Sequence, residues 1–185
     1  ADAYTLPIQL DYGLIKKVVV SQLFKGESGA VEVWHDKKGC SSLKLANPRI
    51  SGQNGLLKLV NDVDAQIGTA LAGNCITLLN WQGALESLQK PTVSADGATL
   101  SIPVSRVTAF DREGRQITVD KLQDLLTKVV QPKLADVKLD LNKSRPDIEK
   151  TLSGIVPKNY AADMKQTVST LKFSRAEAND NGIKL

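Results

Sequence analysis

The run from Leu57 to Ile67 constrains this chain more than any other part of it. Leu57, Leu59, Val63, Ala65 and Ile67 fall on one parity, and Lys58, Asp62, Asp64 and Gln66 fall on the other. Extended backbone sends successive side chains to opposite faces, so this period of two predicts a long strand with one dry face. Ser42 to Ser51 precedes it, with Leu43 and Leu45 also alternating. The two runs are joined through Gly52-Gln53-Asn54-Gly55, whose Asn-Gly pair suits a primed hairpin turn. A second turn, Asp96-Gly97, separates a strand over Leu85 to Ala95 from one over Ala98 to Phe110. In the latter the apolar parity switches between Val104 and Val107. A bulge near Ser105-Arg106 accounts for the switch, and Pro103 argues for an edge position or the same irregularity.

Helical spacing appears on either side of this meander. Leu10, Leu14, Ile15, Val18, Val19, Leu23 and Phe24 form one stripe, with Lys16, Lys17, Ser21 and Gln22 on the remaining face. Gly26-Glu27-Ser28-Gly29 reads as a helix-to-strand turn, and alternation begins at Val31 to Trp34. A second stripe, Leu122, Leu125, Leu126, Val129, Val130, Leu134 and Val137, runs through Pro132, where a kink is expected. Thr118 is a usable N-cap for it, and Asp120 sits in its first turn. Ser144 and Pro146 open a shorter helical piece through Ile148, Leu152 and Ile155, and Tyr160 to Gln166 adds a further turn. Thr167 to Ala178 reads as a strand. The turn Asn179 to Gly182 leaves only Ile183-Lys184-Leu185 to return, so either the return strand pairs elsewhere or the chain is one module of a longer polypeptide.

These elements add up to one α+β domain over residues 1–185: a long, strongly curved antiparallel sheet wrapped around two amphipathic helices. Aromatics make up only 4% of the chain, and 24 basic residues are interleaved with 20 acidic ones. Nucleic-acid readers use aromatic platforms or a one-sided basic face, so no nucleic-acid partner is expected. No stretch is apolar for the roughly 18 residues that a spanning helix needs. Ala1-Asp2-Ala3 has none of the regions of a signal peptide, which fits a mature exported protein whose signal has been removed. Cys40 and Cys75 fit neither a redox nor a zinc spacing; they are either buried thiols or one disulfide. A disulfide places the protein in the periplasm or outside the cell.

Catalytic chemistry finds no footing. His35 is the only histidine, which argues against a metal site or a Cys-His dyad, and no nucleophile elbow, P-loop or dinucleotide fingerprint is present. Asp62 and Asp64 share a strand face, but alternation alone explains them as a solvated face. Trp81 reads as a core or rim residue rather than a ligand platform. Lys16-Lys17 and Lys37-Lys38 are candidates for contact with anionic head groups, and Asn142-Lys143-Ser144 matches a glycosylation sequon. No catalytic residue, metal or cofactor is expected, and the chain reads as a non-enzyme.

The order of elements resembles the tubular lipid-binding superfamily, the group of the bactericidal permeability-increasing proteins and the synaptotagmin-like mitochondrial lipid-binding domains. The resemblance is one of pattern: Leu10 to Phe24 as first helix, Val31 to Phe110 as wrapping meander, Leu122 to Val137 as second helix, and Thr167 onward as closing strand. It implies a lipid or other apolar partner held between helices and sheet, with Leu14, Val18, Leu57, Leu59, Leu125 and Val129 lining the seam. The paired cysteines also resemble the single disulfide of some secreted members. The superfamily's two-barrel members are longer, which leaves this chain as one module acting alone, as a homodimer or within a longer protein, with peripheral membrane contact. The function expected is non-enzymatic binding or transfer of an apolar ligand. Its rival is a cell-envelope interaction or scaffold domain with a filled core.

Overall fold

A computed structural model of the protein describes residues 8–24, 30–146, 148–149 and 158–185. It is an α+β fold in which every strand pairing among the described residues is antiparallel. The principal sheet has five strands: β2 (Ala30–His35), β3 (Ser42–Gln53), β4 (Leu56–Leu71), β5 (Asn74–Gln89) and β8 (Val104–Asp111). Their order is β2-β3-β4-β5-β8, and the sheet does not close. The strand expected at Leu57 to Ile67 is the middle of β4. Leu57, Leu59, Asn61, Val63, Ala65 and Ile67 are all buried on one face, while Asp62, Asp64 and Gln66 are exposed on the other.

Two tight turns set the register of β4. Asn54 and Gly55 have φ of 52° and 79°, the left-handed pair that a primed turn needs, and Ala72 and Gly73 repeat it at the other end with 51° and 80°. The strand expected to begin at Leu85 in fact begins at Asn74, because β5 pairs with β4 along nearly its whole length. The pairing of β5 with β8 skips from Leu88–Arg106 to Gln89–Val104, which leaves Ser105 as the bulged residue, as the parity switch required. Pro103 falls just before β8, in the break after β7 (Thr99–Ser101).

Helix α1 (Tyr12–Leu23) starts where the Asp11 carboxylate accepts the Leu14 N–H at 2.8 Å. It buries Ile15 and Val19 and packs against β3. Leu10, expected to open this helix, lies instead in β1 (Gln9–Asp11). The second helical stripe is realised as α2 (Asp120–Leu125), a π-helical segment (Leu126–Val130) and α3 (Gln131–Ala135). The irregularity anticipated at Pro132 is therefore a widened turn just before it. Proline has no N–H to offer and its ring crowds the carbonyl four residues back. Thr118 is not the cap: the cap position is Val119, which makes no side-chain hydrogen bond there. Beyond α3, β9 (Lys138–Asp140) joins β7 and β6 (Thr92–Val93) in a small sheet ordered β6-β7-β9.

The C-terminal third departs most from expectation. Thr167–Thr170 is the end of a helix, α4 (Ala161–Thr170), and not the start of a strand. Three β-branched residues there favour extended backbone in isolation. Tertiary contacts overrule them: Val168 is buried, and the Arg145 guanidinium donates to the carbonyls of Val168 (2.5 Å) and Leu171 (2.8 Å) at the helix's negative end. The hydroxyls of Thr167 and Thr170 bond back to the carbonyls of Asp163 and Thr167. The short helical piece expected after Ser144 is present at Arg145–Pro146 and 148–149, and its continuation to Ile155 lies outside the described residues. So does the turn expected at Gly26 to Gly29. The last residues do return as a strand: β11 (Gly182–Lys184) runs between β10 (Glu177–Ala178) and β1. This terminal sheet meets the principal one at Gly52, where a Cβ would stand 2.1 Å from the Asn179 carbonyl oxygen. Beside it the Tyr12 hydroxyl donates to that same oxygen at 2.5 Å.

Arg145 also lies over the Phe173 ring, 5.1 Å from its centroid. Arg145→Ala removes two charge-assisted bonds to helix-end carbonyls and should lower unfolding stability by about 2 kcal/mol, read from urea midpoints. Burial, helped by the charge of Asp180, pushes the Tyr12 phenol above its ordinary 10.0. The raised value means that this contribution to stability is fully present below pH 10 and lost as pH rises through the folded value. Absorbance titration of the wild type against Tyr12→Phe should therefore show a tyrosinate that forms above pH 10, with alkaline destabilisation reduced in the variant.

Candidate functional site

The chain's six expected lining residues do not meet in one seam. Leu57 and Leu59 are fully buried in the core under the principal sheet. Leu14 is half-buried on α1 and packs against that core. Val18 borders a cavity of about 10 Å³ under α1, walled by Ile15, Val19, Leu100, Ile102, Val137 and Ile183. A space of that size holds at most one water, so this part of the interior is filled with aliphatic side chains.

Leu125 and Val129 do come together, in a groove of about 370 Å³ between the second helix and the end of β4. Ile67 and Gly68 supply the sheet side. Lys121, Asp124 and Lys128 stand along the helix side, and Asp36 and Ser41 come from the turn between β2 and β3. The volume lies within the roughly 300–1,000 Å³ of small-molecule sites. The groove's apolar floor is flanked by the ammonium groups of Lys121 and Lys128 and by the carboxylates of Asp36 and Asp124. The helix spacing marked Leu125 and Val129; Ile67, Lys121 and Lys128 carried no signal of belonging to the same site.

The sheet side of the groove is covalently fixed. Cys40 and Cys75 form a disulfide with Cα atoms 5.3 Å apart. Next to it, the Ser41 hydroxyl accepts the Gly68 N–H at 2.9 Å and donates to the Gly68 carbonyl at 3.1 Å. Gly68 permits this close approach, because a Cβ there would stand 2.8 Å from the Cys40 carbonyl oxygen. The turn is itself braced by the Asp36 carboxylate, which accepts the Ser41 N–H at 3.1 Å.

The other residues considered for chemistry lie apart from the groove. Trp81 is buried and donates its indole N–H to the Phe110 carbonyl at 3.1 Å. His35 is exposed, with Nδ1 3.9 Å from Glu32. Asp62 pairs with Arg49 at 3.0 Å and accepts the Asn47 side chain at 3.3 Å, on the open outer face of the sheet where Asp64 also lies. On that face Asp111 organises a turn. The Arg115 N–H, the Arg115 guanidinium and the Glu113 N–H hold its carboxyl below the ordinary range. Among the described residues no three His, Cys, Asp or Glu side chains are grouped to hold a metal ion.

Two buried oxygens, Asn61 Oδ1 and Gln89 Oε1, have no hydrogen-bond partner among the described residues. No helix among the described residues is long and apolar enough to cross a membrane. Comparison of the chain with family models, with curated proteins and with solved structures returns no match.

The disulfide closes a loop of sequence separation 35. In the chain-entropy account, a loop of that length is worth about 3–4 kcal/mol of folding stability. Cys40→Ser/Cys75→Ser should lose most of that in urea unfolding, and reducing agent should destabilise the wild type to the same level without affecting the double variant.

Proposed function

We propose that the protein is a non-enzymatic binder of a lipid or similar apolar ligand, working in the periplasm or outside the cell. The observation that carries this reading is the groove at Leu125, Val129 and Ile67, with its apolar floor, its lysines and its disulfide-fixed wall. The floor would take an acyl chain, with Lys121 and Lys128 facing an anionic end group. Each buried methylene contributes on the order of 0.8 kcal/mol, so binding needs few polar contacts. A disulfide is at home in an oxidising compartment. The same reading takes the principal sheet as a strongly curved one wrapped around the helices, in the manner of the tubular lipid-binding superfamily. In that architecture the groove is the seam's open end, and the part under α1 is packed shut.

One observation favours a second reading, an envelope interaction or scaffold domain. The 10 Å³ cavity beside Val18 is what a filled core would leave.

Native mass spectrometry of the purified protein, followed by organic extraction, separates the two. A bound mass matching one or a few lipids is expected. Val129→Trp, which fills the groove from a half-buried position, should lower its occupancy about tenfold, while Val18→Trp, at the closed cavity, should disturb stability more than occupancy. A wild-type chain that stays free of ligand after incubation with mixed lipids overturns the lipid reading in favour of the filled core.

A further inference from the structure

From Ala65 to Leu85 the chain carries no charged residue, 21 positions in a protein that is 24% charged overall. This stretch forms the distal part of the β4–β5 hairpin. Beyond Gln66 β4 has no pairing with β3, and β5 pairs with β8 only from Gly83 onward. The outer hairpin is therefore an arm that runs about 17 Å past the last pairing with β3, at roughly 3.3 Å per residue from Gln66 to Leu71, flanked as far as Cys75 by the turn between β2 and β3. Its large apolar residues are in water: Leu71 is 61% exposed, Leu78 53% and Ile76 43%. Thr69 pairs with Ile76 and Leu71 with Asn74, so Leu71 and Ile76 share one face.

An isolated two-stranded ribbon is marginal in water, and exposed strand edges are ordinarily guarded by lysine or proline. This arm has neither guard. It is held instead by the Ser41–Gly68 bonds near its base and by the Cys40–Cys75 disulfide near its tip, where Cys75 pairs with Ala70 one position before the turn. A covalently braced, uncharged, apolar tip is built to be covered by something when the protein works. The charges beside the arm indicate what. Lys37 and Lys38 are exposed in the turn that the disulfide ties to the arm, and Lys121 and Lys128 stand in the groove beside Gly68. The acidic groups in the same turn and groove are Asp36, already engaged by the Ser41 N–H, and Asp124. Outside the groove, Lys37 and Lys38 against the one engaged carboxylate of Asp36 favour an anionic partner. They oppose a second copy docked tip to tip, which would bring Lys37 and Lys38 of each chain together.

We infer that the β4–β5 arm is a docking element for an anionic lipid surface, with Leu71, Ile76 and Leu78 entering the boundary between head groups and acyl chains. Lys37 and Lys38, in the turn that the disulfide ties to the arm, would meet the phosphates. Unpaired strand edges are tolerated at that depth because water still reaches them, so the hairpin enters no deeper than Leu78. This use of the arm is independent of what the groove holds.

The test is partition of the full chain onto phosphatidylcholine vesicles with and without phosphatidylglycerol. The wild type should bind the anionic vesicles and be weakened by salt. Leu71→Ser/Leu78→Ser, exposed positions whose change leaves the core untouched, should reduce partition about tenfold or more, by loss of two buried leucines. Lys37→Ala/Lys38→Ala should reduce it about tenfold on anionic vesicles only. A failure of the wild type to partition overturns the proposal, as does equal binding by the leucine variant. A concentration-dependent dimer that Leu71→Ser/Leu78→Ser dissociates overturns it in favour of a second copy. Native mass spectra keep the two readings apart: the leucine variant should retain groove ligand, and Val129→Trp should retain vesicle binding.

Discussion

The register of β4 is the constraint on which the rest of the structure depends. β4 pairs with β3 on one side and β5 on the other, and a slip of one residue would turn Leu57, Leu59, Val63, Ala65 and Ile67 out to solvent together. The left-handed turns at both ends prevent that slip by fixing where each neighbour begins. Their effect reaches past the strand. Register places Ala70 opposite Cys75, which puts Cys75 within bonding distance of Cys40, and it places Gly68 where the Ser41 hydroxyl can bridge to it. The groove wall and the arm are thus consequences of the same alternation that makes the core. Asn61 is the exception on the dry face, a buried amide between Leu59 and Val63 whose oxygen lacks a described partner. An acceptor left so costs about 1–3 kcal/mol unless a water or a ligand hydroxyl supplies the donor.

What the sequence made legible was whatever has a local period or a local turn. The Asn54-Gly55 hairpin, the long strand, the bulge at Ser105 and the inner stripe of α1 all follow from neighbours in sequence. What it concealed was decided by partners far away. Thr167–Thr170 has strand-forming residues and became helix because Arg145 reaches its last carbonyls across more than twenty residues of chain. The return strand at Gly182–Lys184 looked too short to pair, and is central in its sheet because β1 comes to it from the other end of the chain. The candidate site was legible only by halves. Leu125 and Val129 stood out by helical spacing, whereas Ile67 read as one more residue of a dry strand face, and nothing local distinguishes a residue at the end of a core from one at the floor of a groove. The arm did have a signal, the 21 positions without charge, although such a run equally describes a fully buried strand.

The second helical stripe shows how one element serves both core and groove. Leu122, Leu126, Val130 and Leu134 are spaced by four and are all buried. On a regular helix of 3.6 residues per turn, positions four apart drift by about 40° at each step, so such a row would wind off the core within three steps. The π-helical segment at Leu126–Val130 takes up that excess, because its wider ring uses more residues per turn. The row stays on one face, and Leu125 and Val129 are left beside it, toward the groove. Pro132 stands directly after the widened turn and supplies the reason for it: the ring needs room at the carbonyl of Lys128, and the missing N–H leaves that carbonyl without its usual partner. A regular helix here would force a choice between burying the four-residue row and presenting Leu125 and Val129. The residue that reads in sequence as a kink is thus what lets the helix pack the core with one set of leucines and valines and line a surface groove with the next.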